Sequence, residues 1–226
     1  MAVAALTHVG ALLADRTRAS LLTVLIDGRA RTGGELARLV GVAPSTASEH
    51  LSRLLDAGFV TVESQGRHRY FRLAGPDIAE LLESLGAVDA PAAASDAHGS
   101  RAPSELLFAR SCYDHLAGQL GVRIYDQMLA SGHLRLAGAR LNLTASGEQL
   151  LADLGVNVQA MRPTKTRPIV RSCLDWTERR HHLAGAAGAA LFHALLTRGW
   201  IARGSRPRSI RITNAGQRGL EQALNS

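Results

Sequence analysis

STASEHLSRLLDAGFV, residues 45–60, and GRHRYFRL, residues 66–73, decide how the first part of this chain folds. In the first stretch Ala47, Leu51, Leu54 and Leu55 recur at helical spacing and form an inward stripe. Ser45, Thr46, Ser48, Glu49, His50 and Arg53 fall on the polar side. Pro44 suits the first turn of this helix and Gly58 closes it. Upstream, Thr32 precedes a short helix over 34–40, and Gly41 allows a tight turn into the next helix. Two helices joined this way are a helix-turn-helix. Further upstream, ALTHVGALLADRTRASLLTVLIDG (5–28) predicts one opening helix. Downstream, VTVESQGRHRYFRL (60–73) predicts a hairpin turning at Gln65-Gly66, with Arg67, Arg69 and Arg72 along its return strand. GPDIAELLESLGAV then predicts a helix over 77–88. Helix-turn-helix followed by a basic hairpin is a winged helix.

STASEHLSRLLDAGFV with GRHRYFRL resembles the ArsR/SmtB family of bacterial repressors, and DRTRASLLTVL (15–25) resembles that family's opening helix. Arg16 stands where a proline is common in the family. The resemblance covers about residues 6–88, under half of the chain. It implies a homodimeric repressor on a palindromic DNA operator. The family's metal-sensing positions are not matched. Glu35-Leu36 is followed by Ala37, Arg38 and Leu39 rather than cysteines, and Asp77, Glu80 and Glu83 on the last helix come without a histidine. The chemistry agrees with DNA reading. Polar side chains at the start of a recognition helix meet base edges in the major groove. Those here are Ser45, Thr46, Ser48, Glu49, His50 and Arg53, while Arg67, His68 and Arg69 on the wing can meet phosphates.

With apolar residues at 46% of 226, the chain can bury a core without cross-links. Aromatics are only 4% and Leu and Ala dominate, so the fold is expected to be mainly α with small β-hairpin wings. Two cysteines are too few for a disulfide framework and fit a reducing cytosol. The N-terminal apolar run has no basic segment ahead of it, and AGAAGAAL (184–191) is too short to span a bilayer. The chain is therefore expected in the cytoplasm with no membrane partner. Its net charge of +7 is uneven. Residues 1–88 hold nine Arg against nine acids, whereas residues 160–226 hold twelve Arg or Lys against three. A basic segment suits a polyanionic partner. It leaves open an alternative role as an architectural, nucleoid-type DNA-binding protein without effector response.

Residues 1–88 are thus expected to form the DNA-binding and dimerisation domain. VDAPAAASDAHGSRAPS (88–104), with its lone His98, reads as a linker, and 105–226 as a C-terminal sensor domain. That domain repeats itself, as 110–159 and 171–226. RSCYD (110–114) returns as RSCLD (171–175), His115-Leu116-Ala117-Gly118 as His182-Leu183-Ala184-Gly185, and Leu143-Thr144 as Ile212-Thr213. Each copy reads as helix, hairpin, helix, like a degenerate winged-helix piece, with Thr144 and Thr213 capping the closing helices. Ser111-x-x-Asp114 and Ser172-x-x-Asp175 resemble capping boxes, which would set Cys112 and Cys173 in first helical turns with easily ionised thiols.

Cys112, Asp114, His115, Cys173, Asp175, His181 and His182 are the candidate sensor residues. Cys with His favours Zn, Cu or Ni over hard cations. A small organic effector in a pocket lined by Tyr113, Tyr125, Trp176 and Trp200 is the alternative. So is a pair of duplicated helix caps with no site at all. Cys112, Asp114 and His115 are also the residue types of thiol catalysis. They crowd one turn without an oxyanion motif, so an enzyme is not expected.

Overall fold

The computed structural model describes residues 3–93, 103–138, 140–161, 163 and 167–224. The chain divides into two compact units, Met1–Leu82 and Glu83–Ser226, so the division falls inside the last helix of the winged domain, ahead of residue 88. His98 and most of the expected linker lie outside the described residues.

In the first unit the predicted opening helix is two helices, α1 (Val3–Leu13) and α2 (Arg16–Leu25). Asp15 makes the break. Its carboxylate accepts from Arg18 N and caps α2, while the Arg18 guanidinium donates to the Ala11 and Leu12 carbonyls that end α1. Strand β1 (Arg31–Thr32) leads to α3 (Gly33–Val40), whose start is a full capping box between Thr32 and Glu35. Gly41, at φ 75°, turns the chain toward α4 (Pro44–Asp56), which keeps its predicted bounds. The wing is β2 (Val60–Gln65) against β3 (His68–Leu73), with Gln65 facing His68. The turn is therefore Gly66-Arg67, one residue later than predicted, and β1 extends the sheet to β1-β3-β2. Leu21, Leu22, Leu25, Leu36, Leu51 and Leu54 close the core beneath Phe71 and Leu73. Helix α5 (Pro76–Ala93) crosses the division and runs five residues beyond the predicted end at 88.

After the end of α5, the second unit continues with α6 (Ser104–Phe108). The first repeat is then β4 (Arg110–Cys112), β5 (His115–Ala117), α7 (Gly118–Ala130), β6 (Leu134–Ala137), β7 (Arg140–Leu143) and α8 (Ala145–Asp153). The second is β8 (Arg171–Leu174), β9 (His181–Ala184), α9 (Gly185–Thr197), β10 (Ile201–Arg203), β11 (Ile210–Ile212) and α10 (Asn214–Leu224). Helix, hairpin and helix occur as predicted in each copy, and a second hairpin precedes them. Among the described residues, neither copy contains a helix-turn-helix. Thr144 and Thr213 cap as predicted, accepting from Gly147 N and Gly216 N, and each also donates to carbonyls that open its hairpin.

The leading hairpins correct the capping-box reading. Ser111 and Ser172 lie on strands β4 and β8, so neither cysteine sits at a helix start. Tyr113-Asp114 is a two-residue loop with Tyr113 at φ 58°. The matching loop in the second copy runs from Asp175 to Arg180. The repeats interlock through these hairpins: α7 packs on β9, and α9 packs on β5. A Cβ at Gly121 would lie 3.6 Å from His182 Cβ, and one at Gly188 would lie 3.4 Å from His115 Cβ. Gly121 and Gly188 thus admit the other repeat's histidine strand.

Candidate nucleic-acid interface and a buried cysteine–histidine cluster

Helix α4 buries Ala47, Leu51 and Leu54 and turns Ser45, Ser48, Glu49, Ser52 and Arg53 outward, with Thr46 half-exposed. Arg53 bonds Glu49 at 2.7 Å one turn away. On the wing Arg67, His68 and Arg69 are all exposed, and Arg69 lies over the Phe71 ring. Eight of the nine predicted DNA-facing residues therefore share accessible surface on this helix and hairpin. His50 is only half-exposed: its ring packs toward α2, with Nδ1 3.4 Å from Arg18 and 3.6 Å from Asp15. Ser52, not among the predicted residues, lies on the exposed face. Periodicity alone could have found it.

The second unit gathers Cys112, His115, Cys173 and His182, all buried, with one donor atom from each lying within 4.8 Å of the others. The pairing of the hairpins explains how. Cys112 faces His115 across β4 and β5, and Cys173 faces His182 across β8 and β9, so each repeat offers one Cys-His pair. The two sulfurs stand 4.0 Å apart and pack with Ala117 and Ala184. The two imidazoles stack with centroids 5.1 Å apart.

Carboxylates flank the cluster. Asp114 Oδ1 lies 3.4 Å from His115 Nδ1, and Asp175 Oδ2 lies 3.6 Å from His182 Nδ1. Asp114 is held by Arg167 at 2.7 Å. Asp175 accepts from Arg110 at 2.8 Å, from Gly118 N, from Thr177 and from Glu178 N. Burial opposes the Asp175 charge, but Arg110, Thr177 and Gly118 outweigh it and hold the carboxyl well below the usual range. The Cys112 thiol is pushed up by the Cys173 sulfur, by burial and by Glu83, opposite to the helix-start expectation. Burial and the neighbouring His115 push His182 well down. Of the seven predicted sensor residues, six meet here as four donors and two flanking carboxylates. His181 is exposed, beside Tyr125, and does not join them. Arg110 and Arg167 were not predicted as partners of these carboxylates, because each acts across the repeats or from a distant segment.

Among the described residues, Trp176, Tyr125 and Trp200 of the predicted aromatic lining have partners of their own. Trp176 stacks on Arg110, Tyr125 bonds Ser172, and Trp200 lies under Arg198. A cleft of about 780 Å³ in this unit is lined instead by Val156, Asn157, Met161, Ala190, His193 and other residues of this unit. No described helix is long and apolar enough to cross a membrane.

A family model described as a helix-turn-helix domain matches residues 13–63. An uncharacterised helix-turn-helix-type transcriptional regulator of Bacillus subtilis, YdfF, is 41% identical over 220 residues, covering 97% of both chains. The regulator CmtR of Mycobacterium bovis is 38% identical over 85 residues, 38% of this chain and 71% of its own. A solved homodimeric winged helix-turn-helix domain from Mycobacterium bovis shares 28% identity over 44% of this chain and 90% of its own, at a TM-score of 0.37. The likeness to YdfF runs through both units, so the duplicated half is part of what the two proteins have in common. The chain belongs to the helix-turn-helix-type transcriptional regulators, with an ArsR/SmtB-type winged helix as its DNA-binding unit.

Proposed function

We propose that the chain is a cytoplasmic homodimeric repressor of a palindromic operator, released by an effector that acts on the unit Glu83–Ser226. The observation that carries this reading is the exposed polar face of α4 beside an exposed arginine wing, over a buried apolar stripe. Two such faces related by a dyad contact half-sites roughly 10 base pairs apart. The apolar surface left on α1 and α5 supports the dimer. Val3 and Leu6 are 82% and 61% exposed, only Leu12 of α1 is buried, and Leu81 and Leu85 are exposed on α5. Regulation needs no catalytic step. The architectural reading is weakened at the basic segment: Arg208 is spent on Glu83 and the Ser111 carbonyl, and Arg203 lies over Phe192. The test is native mass measurement of the full chain on an inverted-repeat duplex. Two chains per duplex, with no complex on a scrambled duplex, supports the reading. One chain per duplex, or equal binding to both, overturns it.

A further inference from the structure

We infer that Cys112, His115, Cys173 and His182 form a closed tetrahedral site for one zinc ion that joins the two repeats. A zinc ion with sulfurs at about 2.3 Å in tetrahedral geometry sets them about 3.8 Å apart. The observed sulfur separation is 4.0 Å, and all four donors fall within 4.8 Å of one another. This is the geometry of an ion-sized gap between side chains, and it is too wide for a sulfur–sulfur bond of about 2.05 Å.

The unmet demand of the histidines points the same way. His115 Nε2 and both ring nitrogens of His182 are buried without a hydrogen-bond partner. A buried polar atom left in that state is costly, and native interiors seldom keep three together. A metal ion at Nε2 of each ring satisfies two of them. Asp114 and Asp175 then stand beside the Nδ1 atoms, the arrangement of carboxylate, histidine and metal in which the carboxylate orients the ring.

Charge also balances. Binding displaces one proton from each thiol, and a divalent ion with two thiolates sums to zero, which suits a dry interior. The carboxylates nearby are already matched: Asp114 with Arg167, Asp175 with Arg110, and Glu83 with Arg208. The donor set selects among metals. Two sulfurs and two nitrogens in a tetrahedron suit zinc, whereas Cu(II) and Ni(II) favour square-planar arrangements. Four protein donors leave no open position, so the ion fixes structure instead of activating water. Each repeat supplies half of the ligands, so the duplication itself makes the site.

The inference names the ion for the effector-responsive unit proposed above, and it rests on that reading only for the step from metal to operator. The test begins with the full-length chain, reduced and stripped by a chelator, titrated with Co(II) and then Zn(II). The chain has only two cysteines, so a thiolate-to-cobalt charge-transfer band can arise only from Cys112 and Cys173. The expected result is a band that saturates at one equivalent and is bleached by one equivalent of zinc. Cys112→Ser and Cys173→Ser should each abolish the two-thiolate spectrum, and Asp114→Asn should weaken zinc about 10- to 100-fold. Absence of the band in the wild-type chain overturns the site, as does a Cys112–Cys173 disulfide forming in place of metal uptake. Because that readout needs no variant to fold, it decides the matter alone. Operator affinity with and without zinc is measured separately, and a change of about 5- to 150-fold is expected. An unchanged affinity with one zinc bound overturns the effector reading and leaves the metal site standing.

Discussion

Asp175 shows how much one side chain organises in the second unit. Its carboxylate ties β8 to the start of α7 through Gly118 N and neutralises Arg110, both partners being almost fully buried. Asp175→Asn keeps the size and removes the charge, leaving the Arg110 guanidinium buried without its counter-ion. The expected loss is about 3–5 kcal/mol. Trp176 and Trp200, the only tryptophans, both lie in this unit, so tryptophan emission during urea unfolding of the full chain reports it directly. An unshifted midpoint would contradict the role given to the pair. The sign of the pH effect follows. A carboxyl whose folded value is depressed contributes stability above its unfolded value near 4, and that contribution is lost as pH falls toward the folded one. The unit should therefore weaken below about pH 4, and Asp175→Asn should flatten that dependence. RSCYD and RSCLD were legible as a repeated phrase, and the choice of Cys, His and Asp as one candidate site came from it. Their local structure was not legible. Ser-x-x-Asp fits a helix cap and a tight hairpin equally well, and the decisive fact, Cys facing His across a strand pair, is hidden by a two-residue loop in one copy and a six-residue loop in the other.

At the level of elements, α4 and the wing divide the work of recognition. Arg53 and Ser48 lie on the exposed face of the helix, so Arg53→Ala should cost about 1–3 kcal/mol and relax preference at one base position, read by fluorescence anisotropy on matched and mismatched operators. Arg67 and Arg69 are exposed on the wing and are proposed to meet phosphates. Their joint replacement by Ala should weaken all sequences alike and reduce the slope of log affinity against log salt by about 2. A loss of base preference in the wing variant, or an unchanged slope, would reverse this division. Helix bounds here were readable because Thr32, Gly41, Pro44 and Gly58 mark each end. The break between α1 and α2 was missed because apolar periodicity runs through it, and only the Asp15 cap and the Arg18 contacts with Ala11 and Leu12 reveal it. A Cβ at Gly121 would sit 2.5 Å from the Leu116 carbonyl oxygen. Gly121→Ala should therefore cost about 1–3 kcal/mol in the tryptophan-monitored unfolding, against no cost if the helix stood clear of the hairpins.

For the whole molecule, the proposed function needs two copies to meet, and the apolar surface of α1 is the proposed place. Leu6 is 61% exposed in the single chain, so Leu6→Glu should leave the fold intact while yielding a monomer in sedimentation and weakening operator binding. A Leu6→Glu chain that remains dimeric would move the interface elsewhere. The winged helix was legible because its elements follow in fixed order within 90 residues, and the likeness to YdfF extends past it through the duplicated half. The packing of that half was not legible, since α7 and α9 cross onto each other's hairpins and such long-range pairing leaves no local pattern. In the proposed function this chain reads a specific DNA sequence as a dimer. Selection of bound duplexes from a random pool by the full-length protein tests it most directly. Enrichment of an inverted repeat with half-sites about one helical turn apart is expected, and Arg53→Ala should lose it. Enrichment of no sequence, or of a single half-site alone, would contradict it.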